Sequence, residues 1–171
     1  LSKFFQTGIY KVSKVVPTLS PSMDIQVASN FERLLFECLD SNPTLVKEYM
    51  AKLNTHGSFE ISKEMLYELN KTFLGVSVND DKTIERIRNC YSEKNIIIDP
   101  HTSVGLEAAC SAKLEELNIV LSTAHPVKFS SAVNKAINNT LSLPNKYKNI
   151  FSLEEKFKSF PNDINVIKNF I

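Results

Sequence analysis

The chain has 171 residues, 43% of them hydrophobic and 23% charged, which is enough for one ordinary domain with its own core and typical of a globular protein. Its 20 basic and 19 acidic residues leave a net charge of +1, so nothing in the charge points to nucleic acid or an anionic membrane surface as a partner. No apolar run approaches the roughly 20 residues needed to span a bilayer.

The sequence opens at Leu1 without a methionine and without a signal-peptide pattern. Leu1-Ser-Lys-Phe-Phe-Gln-Thr-Gly8 reads as the last turn of a helix closed by glycine, with its earlier turns expected upstream. An extended, hydroxyl-rich loop follows to about Ala28, where Pro17 and Pro21 oppose helix. Ser29-Asn-Phe-Glu32 has the form of a capping box. Behind it Phe31, Leu34, Leu35, Cys38 and Leu39 make the stripe of one buried helix face.

Asn42-Pro43 predicts a second start, with Asn as cap and Pro in the first turn. The helix it opens carries Val46, Tyr49, Met50 and Leu53 and ends near Gly57. Another is expected from about Ser62 to Phe73, broken by Gly75, and a fourth from near Asp80 through Ile84, Ile87 and Tyr91. Residues 43–94 thus read as a mainly helical insertion or subdomain after a first segment, 1–42.

Asn95-Ile-Ile-Ile98 is a short apolar run bounded by polar residues, as expected of a buried strand. A helix from about Thr102 to Leu117, a second strand at Asn118-Ile-Val-Leu121 and a helix from about Pro126 to Asn138 would complete a parallel βαβα segment over 95–140. Residues 141–171 read as a C-terminal helical tail with another capping box at Ser152-Leu-Glu-Glu155. Two strands cannot bury both faces of a parallel sheet, so they are expected at the edge of a larger one. The fold class is therefore α/β: a partial open parallel sheet in a three-layer αβα arrangement with a helical insertion.

Candidate chemistry gathers where loops follow strands, the usual ligand-binding edge of open α/β sheets. Thr123, in Leu-Ser-Thr-Ala-His-Pro, offers a neutral hydroxyl at a strand end, or else caps the next helix. In Asp99-Pro-His-Thr, Asp99 suits a helix cap, and His101 is either an acid–base group or a hydrogen-bonded structural histidine. Ser20, Ser22 and Asp24 put polar groups on a proline-bounded loop. Asn30 and Arg33 lie in the first turns of the next helix, where an anion is favoured, unless Arg33 is simply solvated. Cys38, Cys90 and Cys110 are widely spaced and odd in number, which fits a reducing cytoplasm and, with the histidines, forms no metal-ligand pattern.

The segment Thr18-Leu-Ser-Pro-Ser-Met-Asp-Ile-Gln-Val-Ala-Ser-Asn-Phe-Glu-Arg-Leu-Leu-Phe36, with Asp99-Pro-His-Thr-Ser-Val-Gly105 and Leu121-Ser-Thr-Ala-His-Pro-Val-Lys-Phe129, resembles the C-terminal part of threonine synthase in order and spacing. The resemblance implies a pyridoxal 5'-phosphate (PLP) enzyme of fold type II, the tryptophan synthase β-like group. Such an enzyme is a lyase turning O-phosphohomoserine and water into L-threonine and phosphate in threonine biosynthesis. By the same resemblance Thr123 binds the cofactor ring nitrogen, and Ser20, Ser22, Asp24, Asn30, Arg33 and His101 belong to the pocket wall.

The family's Schiff-base lysine lies in an Ala-Phe-Lys-Asp-Phe-type segment, and no lysine here has that context, Lys128 included. The four glycines, Gly8, Gly57, Gly75 and Gly105, are isolated and form no phosphate loop. The chain therefore contains no catalytic residue of its own by this reading. It is expected to be inactive alone, with a missing N-terminal portion of the same enzyme as its partner. The alternatives are a non-catalytic gene remnant, an interaction domain that complements a separate half, or a helical binding module built on residues 43–94.

Overall fold

In the computed structural model residues 1–113 and 117–171 are described. They fall into two compact units, 1–141 and 142–171. The first unit opens with helix α1 (Ser2–Thr7), closed at Gly8, whose φ of 75° places it in the left-handed region and whose N–H donates to the Phe4 carbonyl at 2.7 Å. The chain reverses there into β1 (Ile9–Lys11). After the loop and a 3-10 turn at Pro21–Met23 come α2 (Ser29–Cys38) and α3 (Pro43–His56). Gly57, with φ 71°, turns the chain into β2 (Ser58–Glu60), which pairs antiparallel with β1 in the register Tyr10–Phe59.

This ribbon carries the first core. Tyr10 and Phe59 stack at 5.4 Å with their planes 5° apart, and Phe4 meets Phe31 edge-on at 4.7 Å. Leu35, Leu53, Ile61 and Leu69 complete the cluster, the last from α4 (Lys63–Asn70). Each such side chain withdrawn from water contributes about 1.5–3 kcal/mol. The second core joins α5 (Asp80–Lys94) and α7 (Ser130–Ile137), with α6 (Pro100–Ala112) packed beside α5. It is built from Ile87, Val133, Ala136 and Ile137, with Ile84, Tyr91, Ile97, Ile98 and Leu141 against them.

Local signals place most helix starts. Asn42 accepts from the N–H groups of Thr44 and Leu45, Ser62 from Met65, Asn79 from Lys82 and Asp99 from His101. The expected capping box at Ser29 does not form. Ala28 is the cap residue, Ser29 is already inside α2, and no side-chain bond closes that end. Helix α4 stops at Asn70, short of Phe73. The run from Pro126 begins as a 3-10 turn, Pro126–Phe129, before α7.

The two expected parallel strands are also corrected. Among the described residues the sheet is the antiparallel β1–β2 pair. At 95–98 the Asn95 and Ile96 N–H groups return to the carbonyls of Tyr91 and Cys90 at the end of α5, and Asn95 is left-handed at φ 55°. Ile97 and Ile98 pack on the second core. An apolar run with a helix end as its hydrogen-bond partner has no ladder to join. At 118–121 no ladder forms either, and Ile119 and Leu121 are 85% and 76% exposed. The expected continuation of α6 to Leu117 crosses residues 114–116, outside the described residues; α6 itself ends at Ala112, with Lys113 left-handed at φ 50°.

The second unit holds 3-10 turns at Asn145–Tyr147 and Ile150–Ser152 and helix α8 (Ile164–Phe170), capped by Asp163. Ser152 ends its turn, and its hydroxyl donates to Asn149 O at 2.9 Å, so the capping box expected there starts no helix. Phe160 and Phe170 pack at 4.7 Å. Among the described residues no helix is long and apolar enough to cross a membrane.

Candidate functional site at the start of helix α6

Asp99 caps α6, with Pro100 in the first turn, an arrangement that fixes the carboxylate at the positive end of the helix. It is fully buried. One carboxylate oxygen accepts from the His101 backbone N–H at 3.0 Å and lies 2.9 Å from His101 Nδ1. The other accepts a short bond from the Thr102 hydroxyl. Burial pushes the Asp99 carboxyl up, but the hydrogen bonds from Thr102 and His101 outweigh it and hold the group below its ordinary value.

Two further bonds leave this cluster. The Ser22 N–H donates to His101 Nε2 at 3.1 Å. A backbone N–H can only donate, so Nε2 carries the lone pair and Nδ1 the proton that faces Asp99. The Thr123 N–H donates to the Thr102 hydroxyl oxygen at 3.2 Å. The His101 ring packs on Phe129 at 4.5 Å. Asp99, His101 and Thr102 thus join residues from Thr18–Phe36, Asp99–Gly105 and Leu121–Phe129, separated in the chain by 79 and 21 residues.

The loop itself is tied down at several points. The Asp24 carboxylate accepts from Thr18 N at 2.7 Å and from the Thr18 hydroxyl at 2.8 Å, and that hydroxyl accepts from Ser20 N. Leu19 N donates to Asp80 Oδ1 at the start of α5. Ser20 is buried, while the Ser22 side chain is exposed. Ser103 links α6 to α5 through a bond to the Thr83 carbonyl at 2.8 Å.

The structure brings Ser22, His101 and Thr123 together, with Ser20 and Asp24 on the same short loop. Asn30 and Arg33 bond to each other at 3.1 Å on the exposed face of α2 and make no hydrogen bond to the cluster among the described residues. Arg33 instead lines an open groove of about 700 Å³ between α2 and α3, with Glu32, Val46, Lys47 and Met50. A larger groove, about 980 Å³, lies along α3 and α4, and neither contains His101 or Thr123. The cap alternative for Thr123 falls to His125, whose Nδ1 accepts from Val127 N at 3.2 Å. The Thr123 hydroxyl is exposed and makes no hydrogen bond among the described residues. Sequence reasoning missed Thr102 as the joint between two segments and Phe129 as the wall of His101. The adjacency of Thr102 to Asp99-Pro-His was the one available signal.

A family model described as threonine synthase, C-terminal, matches residues 102–171. The whole chain aligns with threonine synthase of Pseudomonas aeruginosa at 36% identity, over 37% of that protein. The PLP-bound threonine synthase of Brucella melitensis superposes with a TM-score of 0.83 at 32% identity, covering 99% of this chain and 37% of that one. The yeast threonine synthase gives 0.83 at 34%, covering 99% and 39%. The chain is a C-terminal portion of the threonine synthase family and spans a little over a third of the length of the relatives it matches. That likeness bears out the α/β class of a partial domain, with helix-rich content and a small sheet.

Proposed function

We propose that this chain forms the cofactor-ring side and one wall of the pocket in a PLP-dependent threonine synthase. The reaction is the conversion of O-phosphohomoserine and water to L-threonine and phosphate, in the cytoplasm. When bound, PLP supplies an electron sink for carbanion chemistry on the amino-acid substrate. Thr123 offers a neutral hydroxyl with no other partner among the described residues, the donor type a pyridine nitrogen accepts. Ser20, Ser22 and Asp24 form the facing loop, and Asn30 and Arg33 sit on the helix behind it. His101 acts on the pocket through its bonds and not as an acid or base, since both its ring nitrogens are engaged.

In this reading residues 1–42 and 95–140 make the pocket parts, 43–94 the insertion and 141–171 the tail. The N-terminal portion of the same enzyme supplies the lysine and the phosphate loop. The observation that carries the proposal is the convergence on Asp99 of segments far apart in the chain. Exposed Leu117, Ile119 and Leu121 support the need for a complementing portion.

The test mixes this chain with an N-terminal portion from the Pseudomonas aeruginosa relative and measures phosphate release from O-phosphohomoserine. Activity in the mixture and in neither half alone is the expected result. Silence in the mixture, with the relative's intact enzyme working, would leave a non-catalytic remnant or interaction domain as the better reading.

A further inference from the structure

The bonds around Asp99 do more than bury a cap. Ser22 and Thr123 come from different segments of the chain, and neither bonds the other directly. Each is held through a different oxygen of the same carboxylate: Ser22 through His101, Thr123 through Thr102. A carboxylate with both oxygens engaged fixes the relative placement of whatever its donors hold. The imidazole can serve only in the Nδ1–H form, because an Nε2–H would point at the Ser22 N–H.

We propose that His101 and Thr102 are positioning residues that, through Asp99, set the Ser22 loop and the Thr123 loop against each other as one rigid unit. This rests on the pocket reading above and adds which residues fix its geometry. The two arms are separable. Thr102→Val removes the hydroxyl that accepts from Thr123 N and leaves Ser22 alone. His101→Phe keeps a ring against Phe129 and removes the Ser22 acceptor. Asp99→Asn disturbs both arms.

Hydrogen exchange and imidazole nitrogen NMR are measured on the full 171-residue chain, both alone and mixed with the N-terminal portion. The expected spectrum has a protonated Nδ1 and an unprotonated Nε2 on His101. Protection of the Ser22 amide falls roughly ten- to hundred-fold in His101→Phe, with Thr123 unchanged. The reverse pattern is expected in Thr102→Val, recovery in Thr102→Ser, and loss at both amides in Asp99→Asn. The Val133 amide in the second core serves as the control and keeps its protection in every variant. Uniform loss across Ser22, Thr123 and Val133 would overturn the proposal, since it would mean a merely structural cap. So would an Nε2–H imidazole, or absence of Ser22 protection in the parent in either state. Phosphate release is recorded in parallel. Its absence counts against the pocket reading and leaves the amide pattern to decide this one.

Discussion

Replacing Asp99 by alanine should be among the most damaging single changes in the chain. The carboxylate is 0% exposed and accepts from the His101 N–H, the His101 ring and the Thr102 hydroxyl. Alanine leaves those donors buried without an acceptor, at about 1–3 kcal/mol each before relaxation, and removes a helix cap worth about 1 kcal/mol. Relaxation around the vacated site brings the expected loss to about 3–5 kcal/mol, the range seen when one partner of a buried pair is deleted. Asparagine keeps the shape and one acceptor oxygen, so Asp99→Asn should lose about 1–2 kcal/mol. Urea titration at neutral pH resolves the difference: at a slope of about 1–3 kcal/mol per molar, the alanine midpoint falls by about 1–5 M and the asparagine midpoint by roughly a third to a half as much. Equal losses in the two variants, or less than about 1 kcal/mol for alanine, would refute the reasoning, because the hydrogen bonds would then not be carrying the carboxylate's contribution.

The same group gives a pH prediction. Its folded value lies below its ordinary one, so its contribution is complete above the unfolded value of about 3.9 and disappears as pH falls below that toward the folded value. Between about pH 4 and pH 2 the parent should therefore lose more stability than Asp99→Asn, and parallel curves would contradict the assignment. Leu35→Ala empties a 1% exposed site among aromatic rings and should cost about 2–5 kcal/mol in the same titration. A loss below 1 kcal/mol would mean the first core repacks freely. Gly75→Ala places a Cβ 2.9 Å from the Phe5 ring and 3.0 Å from Ser2 Cα. A clash costing about 1–3 kcal/mol should exceed the gain of about 0.4–1 kcal/mol from a stiffer unfolded chain, and a raised melting temperature would show otherwise.

Short-range chemistry was readable. Asn42-Pro43, Ser62, Gly8 and Gly57 act within a turn of themselves, and the structure uses each as the sequence suggests. Ser29 shows the limit of that method, because the spacing of Ser29 and Glu32 fits a box while the backbone starts the helix one residue earlier. The ribbon was not readable: Ile9–Lys11 and Ser58–Glu60 are three residues each, and their pairing spans some fifty positions of intervening chain. Asn95–Ile98 misled because a buried apolar run reads alike whether its backbone joins a ladder or a helix end. Within the candidate site, residue types pointed to Asp99 as a cap and Thr123 as an open hydroxyl. The Ser22–His101 bond joins positions 79 apart, and no local pattern encodes it. The family resemblance set the three segments side by side before any geometry did.

The two cores also impose an order in time. The first draws its buried side chains from Phe4 to Leu69, the second from Ile87 to Ile137. On a ribosome adding about 5–20 residues per second, the first can gather while the second is still being made. The Ser22 turn cannot be fixed then, because His101 emerges 79 residues later, about 4–16 seconds at that pace. The loop proposed to face the substrate is thus the last part of the first half to settle, waiting on a histidine that the ribosome has yet to reach.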